Sequence, residues 1–513
     1  MIFVIFKAQP KVLRVRIHLL RTINYLWIPI YFMESLIKKI NQLEEISKEL
    51  EPSVAERDNY NKELQQFLNE FIDTTEVKKS YYGGNPDSNE LGIKSTKKSL
   101  KELLETYKTE VIEKGINPAS GGHLGYIPGG GIFTAALGDM IASITNEYAG
   151  MYYGSPGAVT MENELLNWMK TIFGFPKSAV GNLTSGGSIA NLIALTAARD
   201  KHQIKNNNIT NSVIYLSPQI HHCIHKAIRI IGLEDVQIRL LELDEHSKID
   251  MNKLEVTISS DKANGLNPFL LIASAGTTDT GAVDPLEAIG EVAKVNNMWY
   301  HIDAAYGGFF ILSESVKHLF KGIEKADSLV IDPHKGLFLP YGLGAVLVKD
   351  KEAVFHSHHY TANYMQDALT NSQINPADVS PELTKHFRGV RMWLPLHLHG
   401  MEPFVACLDE KLLLTTYFRN RLSEIGFELG PKPDLTVSYF WYPSSDIDEN
   451  KYNEKLMEII HKDGDVFLSS TKIDNKFVIR MAILAFRTKK STVDKAIDMI
   501  ERCLIQTNEY FNK

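Results

Sequence analysis

Cysteine is scarce in this chain: Cys223, Cys407 and Cys503 are the three in 513 residues. None is spaced as a pair. This argues against a disulfide framework or a cysteine zinc site and fits a reducing cytoplasm. Long apolar runs are missing too. Residues 1–33 carry Lys7, Lys11, Arg14, Arg16 and Arg21 and no acid before Glu34. Pro10, the arginines and Pro29 break every stretch short of the roughly 18 apolar residues that a membrane helix needs. No compact apolar core with a small-residue cleavage site follows, so the segment does not read as a signal peptide. The expectation is that Met33 is the true start and residues 1–32 an upstream extension; a basic segment lying on a membrane surface is the alternative. A strong charge of one sign is absent as well. With 55 basic against 62 acidic residues the net charge is −7, which implies no general affinity for nucleic acid. There are no internal repeats. The glycine-rich stretches contain neither a Walker loop nor a dinucleotide fingerprint after a first strand.

What is present is ordinary in bulk and specific in places. Hydrophobic residues at 44% and charged residues at 23% exclude a largely disordered chain. The length exceeds one ordinary core and suggests two or three domains. The expected divisions are an N-terminal helical segment and bridge over 33–132, a large α/β domain over 133–395 and a small C-terminal α+β domain over 396–513. Met33 to Leu50 and Asn61 to Ile72 read as amphipathic helices, interrupted by the polar stretch Tyr82 to Ser95. Gly121 to Gly131 is a non-helical, glycine-rich bridge that must pass close to something. Beyond it, Val213 to Leu216, Phe269 to Ala273, Trp299 to Ile302, Leu329 to Ile331 and Ala345 to Val348 read as strands, with helical repeats such as Pro285 to Val295 between them. Strands alternating with helices indicate βαβ units and a mainly parallel sheet. A long helix, Pro403 to Leu422, opens the C-terminal part.

The chemistry concentrates at strand ends, where such folds place it. Asp303-Ala304-Ala305-Tyr306 closes one strand, and Asp332-Pro333-His334-Lys335 closes the next. Either residue alone reads as a capping Asp or a surface Lys. Together, a lysine that holds pyridoxal phosphate as a Schiff base and an aspartate that keeps its pyridine nitrogen protonated would make the ring an electron sink. Partly desolvated beside a cationic cofactor, the Lys335 amine is expected to lose basicity. His334 is either a satisfied structural histidine or a proton carrier beside it. Leu183-Thr184-Ser185-Gly186-Gly187-Ser188-Ile189-Ala190-Asn191 opens a helix whose glycines, hydroxyls and free N–H groups suit a phosphate; a plain N-cap is the bland alternative. His221, in Gln219-Ile220-His221-His222, is placed to stack on an aromatic ring. His221 and His225 lie four apart but lack an adjacent carboxylate, and the cluster His356, His358 and His359 reads as a solvated loop, so no metal is expected. Gly276-Thr277-Thr278 puts hydroxyls at another strand end, or is simply a turn.

In this order, these motifs resemble the group II pyridoxal-phosphate decarboxylases, which include the aromatic-L-amino-acid, glutamate and histidine decarboxylases. The resemblance runs from about Pro118 to Thr488 and ends in Phe477-Val478-Ile479-Arg480-Met481-Ala482, similar to the family's last strand. It implies a fold-type I enzyme, aspartate aminotransferase-like. The large domain would carry a mainly parallel seven-stranded sheet, and the enzyme would be a homodimer with its site near the subunit interface. It implies pyridoxal 5′-phosphate as cofactor and an amino acid as small-molecule substrate, with neither nucleic acid nor membrane as partner. By the resemblance Lys335 carries the cofactor, Asp303 pairs with its ring nitrogen, His221 and Ala305 pack on its two faces, and Gly186, Gly187 and Ser188 hold the phosphate. Thr278 and His334 lie near the ring. Tyr364, in a loop spanning Tyr360 to Pro376, matches the family's proton-donating tyrosine.

Two departures bear on the substrate. The family usually has Trp after the lysine; here it is Gly336. The bridge is glycine-rich where relatives place bulky residues that shape the substrate pocket. The expected reaction is decarboxylation of an L-amino acid to its amine and CO₂. Tyr126, Ile127 and Phe133 are candidate apolar walls for an aromatic substrate, while Arg388 and Arg391 keep an acidic one open. Another pyridoxal-phosphate carbon–carbon lyase, an aldehyde-forming oxidative deaminase and a non-catalytic paralogue are the alternatives.

Overall fold

The computed structural model describes residues 32–359 and 374–512. These divide into two compact units. The first comprises the described residues up to Asp73 together with Gly92–Tyr107. It is helical, with a helix over 32–47, another over Val54–Thr74 and a third over Leu100–Tyr107. Thr74–Leu91, between the second and third, belongs to the other unit.

The second unit holds Thr74–Leu91 and everything from Lys108. A short antiparallel pair, β1 (Tyr81–Tyr82) and β2 (Gly115–Ile116), leads into the glycine-rich bridge. A seven-stranded sheet follows. Its strands are β3 (Val180–Thr184), β4 (Ser212–Leu216), β5 (Gln237–Leu240), β6 (Asn267–Ser274), β7 (Trp299–Asp303), β8 (Ser328–Ile331) and β9 (Gly344–Val348). Their order is β3-β9-β8-β7-β6-β4-β5. All neighbours are parallel except β9, which runs antiparallel to β3 and to β8. The inner strands are buried on both faces, which is why they read as unbroken apolar runs rather than alternating ones. One face packs on helices that include Pro156–Ile172 and Leu286–Val295, the other on Gly187–Lys201 and Cys223–Ile230.

Five of the seven strands match the expected ones within two residues. The outer pair, β3 and β5, is absent from the sequence reading. β3 reads Val-Gly-Asn-Leu-Thr, poor in strand formers. β5 is a half-exposed edge strand of four residues.

The C-terminal part builds a four-stranded antiparallel sheet, β10 (Glu428–Leu429), β11 (Val437–Trp441), β12 (Ser469–Ile473) and β13 (Lys476–Ala482), in the order β10-β11-β13-β12. The helices Glu402–Glu424, Glu449–Asp463 and Lys490–Phe511 cover it around a core of its own. Local chemistry sets the ends of Glu449–Asp463. The Asp448 side chain accepts from Lys451 N at its start, and Gly464 closes it in the left-handed conformation at φ 75°. This layer is tied to the large sheet by the Tyr306 hydroxyl, 2.7 Å from Thr436 Oγ1 and an acceptor for Thr436 N–H at 2.9 Å. No helix among the described residues is long and apolar enough to cross a membrane.

Candidate active site

The carboxyl ends of β3, β4, β6, β7 and β8 converge on one cavity of about 360 Å³. Gly186, Gly187, Ser188, His221, Thr278, Asp303, Ala305, His334 and Lys335 all line it. Tyr364 lies outside the described residues. Tyr126, Ile127 and Phe133 are not among the lining residues.

Each element presents its group for a local reason. After β3, Thr184 Oγ1 accepts from Gly186 N–H and donates to Gly186 O, closing a tight turn. Gly186 sits at φ 151°, a conformation that L side chains rarely adopt. The turn delivers Gly187 and Ser188 to the start of a fifteen-residue helix, where unpaired N–H groups and the helix dipole favour an anion. A Cβ on Gly187 would lie 3.0 Å from Asp332 Oδ2 and 3.4 Å from Ala305 Cβ, so a side chain there would press into the cradle.

Asp303 ends β7, between Ser274 of β6 and Val330 of β8. It is 7% exposed. Ala305 N–H donates to its Oδ1 at 3.1 Å and Asn191 Nδ2 to its Oδ2 at 3.2 Å. Each carboxylate oxygen thus keeps lone pairs for a further donor.

Lys335 lies on the short helical turn Pro333–Gly336, where Pro333 at the first position suits the turn. Its Nζ is 3.0 Å from Asp332 Oδ2. Burial presses the amine down, but the Asp332 carboxylate and then Asp303 outweigh it and hold Lys335 above its ordinary value. A buried counter-ion three residues upstream thus sets the direction. Asp332 is 2% exposed, and its Oδ1 has no hydrogen-bond partner.

His334 Nδ1 is 2.6 Å from Leu343 O, and a carbonyl only accepts, so Nδ1 carries the hydrogen. Nε2 then faces Asp332 Oδ2 at 3.8 Å. Burial holds both His334 and His221 below the usual imidazole value, so both are neutral near pH 7. His221 Nδ1 accepts from Cys223 N–H at 3.3 Å, which turns the ring. Thr278 is fixed from behind, because Arg480 donates from Nε to its carbonyl at 2.9 Å and also binds the Gly125 carbonyl of the bridge.

The bridge does pass close to something. A Cβ on Gly129 would meet His334 O at 2.2 Å, so the bridge lies directly on the lysine turn. Gly336 has a packing reason too: a Cβ there would fall 2.8 Å from Phe309 Cβ.

This constellation coincides with a family assignment. The pyridoxal-dependent decarboxylase conserved domain matches residues 88–443. The chain belongs to the pyridoxal-dependent decarboxylase family. It is 34% identical over 395 residues to an aromatic-L-amino-acid decarboxylase of Bacillus atrophaeus, covering 76% of this chain and 82% of that one. It is 27% identical over 419 residues to a phenylacetaldehyde synthase of Arabidopsis thaliana, covering 79% and 86%. In fold it matches the crystal structure of Oryza sativa TDC with PLP and tryptamine at a TM-score of 0.84 and 22% identity, covering 89% of this chain and 99% of the other.

The decarboxylase is a carboxy-lyase whose cofactor is pyridoxal 5′-phosphate. The residues present fit that group. Among the described residues lining the cavity there is a single amine, Lys335. The helix start offers an anion site, and Asp303 keeps acceptor capacity on both oxygens.

Several residues at or behind this cavity carried no assigned role in the sequence reading: Asn191, Cys223 and Asp332 line it, and His301 and Arg480 lie behind it. Two had a usable signal. His301 precedes Asp303 by two on one strand and so shares its face. Asn191 follows Gly187 by four on one helix, one turn further in.

Proposed function

We propose that the substrate of this decarboxylase is an aromatic L-amino acid, released as its amine and CO₂. One observation carries the choice: among the described residues no guanidinium lines the cavity, and both arginines that kept an acidic substrate open are engaged elsewhere. Arg388 donates to both carboxylate oxygens of Glu382 at 3.1 and 2.9 Å. Arg391 donates from Nε to Asp139 Oδ1 at 2.7 Å and from Nη2 to Asp139 Oδ2 at 2.5 Å. It also donates to Tyr341 O at 2.6 Å. Each guanidinium is thus already neutralised by a protein carboxylate, and holding a distal substrate carboxylate would mean breaking that pair. The aromatic-L-amino-acid decarboxylase of Bacillus atrophaeus supports the same reading.

In this reading Lys335 Nζ would hold the cofactor. Gly186, Gly187 and Ser188 hold the phosphate through backbone N–H groups and a hydroxyl. His221 and Ala305 confine the ring between them. When bound, the cofactor supplies an electron sink for the bond that breaks to release CO₂. Asp303 holds the proton on the ring nitrogen throughout. Thr278 and His334 border the ring, and the neutral Nε2 of His334 is available to accept a proton. Tyr364 delivers the proton that replaces CO₂.

The assembly we propose is a homodimer in the cytoplasm. Phe133, Leu137, Met140, Ile141 and Ile144 stand exposed along the helix Phe133–Thr145, an apolar stripe of the kind that marks a protein interface. The domain limits at 133 and 396 stand as part of the same proposal.

A panel of amino acids assayed for CO₂ release tests the reading. Tyrosine, tryptophan or a hydroxylated relative should turn over fastest; a preference for glutamate or aspartate would overturn it. The likeness to a phenylacetaldehyde synthase gives the second reading, in which the same cavity yields an aldehyde. Product analysis separates the two, since an amine supports decarboxylation alone and an aldehyde with ammonia supports the second. Lys335→Ala should lose both the covalent adduct and turnover.

A further inference from the structure

Behind Asp303 lies a chain of buried polar groups that the reaction as described does not use. Trp299 Nε1 is 2.8 Å from Ser328 Oγ, and Ser328 Oγ is 2.8 Å from His301 Nδ1. His301 Nε2 is 2.8 Å from Asn191 Oδ1, and Asn191 Nδ2 is 3.2 Å from Asp303 Oδ2. Trp299 is 3% exposed, and Ser328, His301 and Asn191 are wholly buried. Trp299, His301 and Asp303 share one face of β7, while Ser328 is the register partner of His301 on β8.

The ends of this chain determine its direction. An indole N–H only donates and a carboxylate only accepts. Starting from Trp299, the Ser328 hydroxyl accepts from the indole and donates to His301 Nδ1. His301 then carries its hydrogen on Nε2 and donates to Asn191 Oδ1. That settles the Asn191 amide, whose Nδ2 points at Asp303. Every link has one donor and one acceptor, and each polarises the next. Burial pushes His301 down to about 4, so the ring is neutral, with the one donor and one acceptor that the chain requires. Run backwards from a protonated Asp303, the chain makes Ser328 Oγ accept from both Trp299 and His301. Its own hydrogen is then left without an acceptor in the chain. The forward direction is the satisfied one, and it presents an N–H donor to Asp303 Oδ2.

We propose that Trp299, Ser328, His301 and Asn191 form a one-way positioning relay that donates to Asp303 Oδ2 and aims the carboxylate at the cofactor's ring nitrogen. The proposal rests on the assignment of Asp303 to that nitrogen and extends it to four residues that touch neither cofactor nor substrate, apart from Asn191 at the cavity wall.

The test is the NMR shift of the ring nitrogen in holoenzyme loaded with ¹⁵N-labelled cofactor, read alongside kcat and KM. Wild type should show a protonated ring nitrogen, and Asp303→Asn should lose it. His301→Leu should move the shift toward the unprotonated value and lower kcat about tenfold with KM little changed, the loss of one buried hydrogen bond next to a charge. His301→Gln, whose amide N–H takes the place of Nε2–H, should restore most of both. If His301→Leu fails to fold, Trp299→Phe carries the test. It removes a single N–H at the far end and should shift the signal in the same direction by less. A protonated signal that disappears in Asp303→Asn but stays unmoved in folded Trp299→Phe and His301 variants would overturn the relay and leave the Asp303 assignment standing. An unprotonated wild-type ring would overturn both.

Discussion

Lys335 Nζ and Asp332 Oδ2 lie 3.0 Å apart, inside a cavity wall where the carboxylate is 2% exposed. The pair holds the amine charged until the cofactor arrives, so the nucleophile is stored in its unreactive form. The rise in the amine's basicity comes from Asp332 and Asp303 outweighing burial.

Asp332→Asn removes the nearer carboxylate and leaves burial less opposed. The amine should then deprotonate at lower pH. Cofactor capture by the apoenzyme, followed at the absorbance band of the bound form, should begin its alkaline rise at a lower pH than in wild type. An unshifted profile would remove Asp332 from control of the lysine.

Gly129→Ala places a methyl 2.2 Å from the His334 carbonyl. Neither partner is a flexible side chain, so the bridge or the lysine turn must move, at a cost of about 1–3 kcal/mol. Cofactor affinity, measured by titrating the apoenzyme, should fall about tenfold or more. Gly83→Ala, where no atom lies within 4 Å of the added carbon, should leave it unchanged.

Glu162 and Lys385 form a pair at 2.7 Å whose side chains are 1% and 0% exposed. Glu162 Oε1 also accepts from Arg388 N and Gly389 N, both at 3.2 Å, so the carboxylate anchors the start of the helix Gly389–His399. Glu162→Ala leaves a buried ammonium unpaired and should destabilise the fold by about 3–5 kcal/mol. Chemical denaturation of the holoenzyme measures it.

His123 and His301 are both pushed down to about 4 by burial. In the folded protein they stay neutral, whereas an unfolded imidazole takes up a proton near pH 6.5. Their contribution to stability is therefore complete above about pH 6.5 and drains away as the pH falls toward 4, by on the order of 3 kcal/mol per histidine. Denaturation midpoints should fall steeply over that window. His123→Leu should flatten the slope in part, since other histidines are also held down by burial, and an unchanged slope would show that His123 protonates in the folded state.

Much of the site was legible because its chemistry sits at the ends of strands. Asp303 and Lys335 each close a short apolar run, and period and length alone are enough to recognise such a run. Gly186 and Gly187 stood out because glycines and hydroxyls at the start of a helix suit a phosphate. The outer strands were not legible. β5 is a short edge strand, and β3 is built from Gly, Asn and Thr and owes its strand state to pairing with β9. The ion pair between Lys335 and Asp332 was not legible, because the motif shows Asp332 only as a neighbour in sequence. The two arginines near the expected lid looked available because nothing in the chain order shows that Asp139, about 250 positions earlier, arrives beside Arg391.

By itself, the order of residues determined the cofactor class and the α/β plan, and singled out the groups proposed to bear the chemistry. Each of these follows from a local run, a periodicity or a motif a few residues long. Tertiary structure alone decided which charges are already neutralised and which way the hydrogens point. Asn191 reaches His301 across 110 positions and Asp303 across 112. The direction of that chain follows from strand register and from donors and acceptors that meet only when the sheet and its helix are packed.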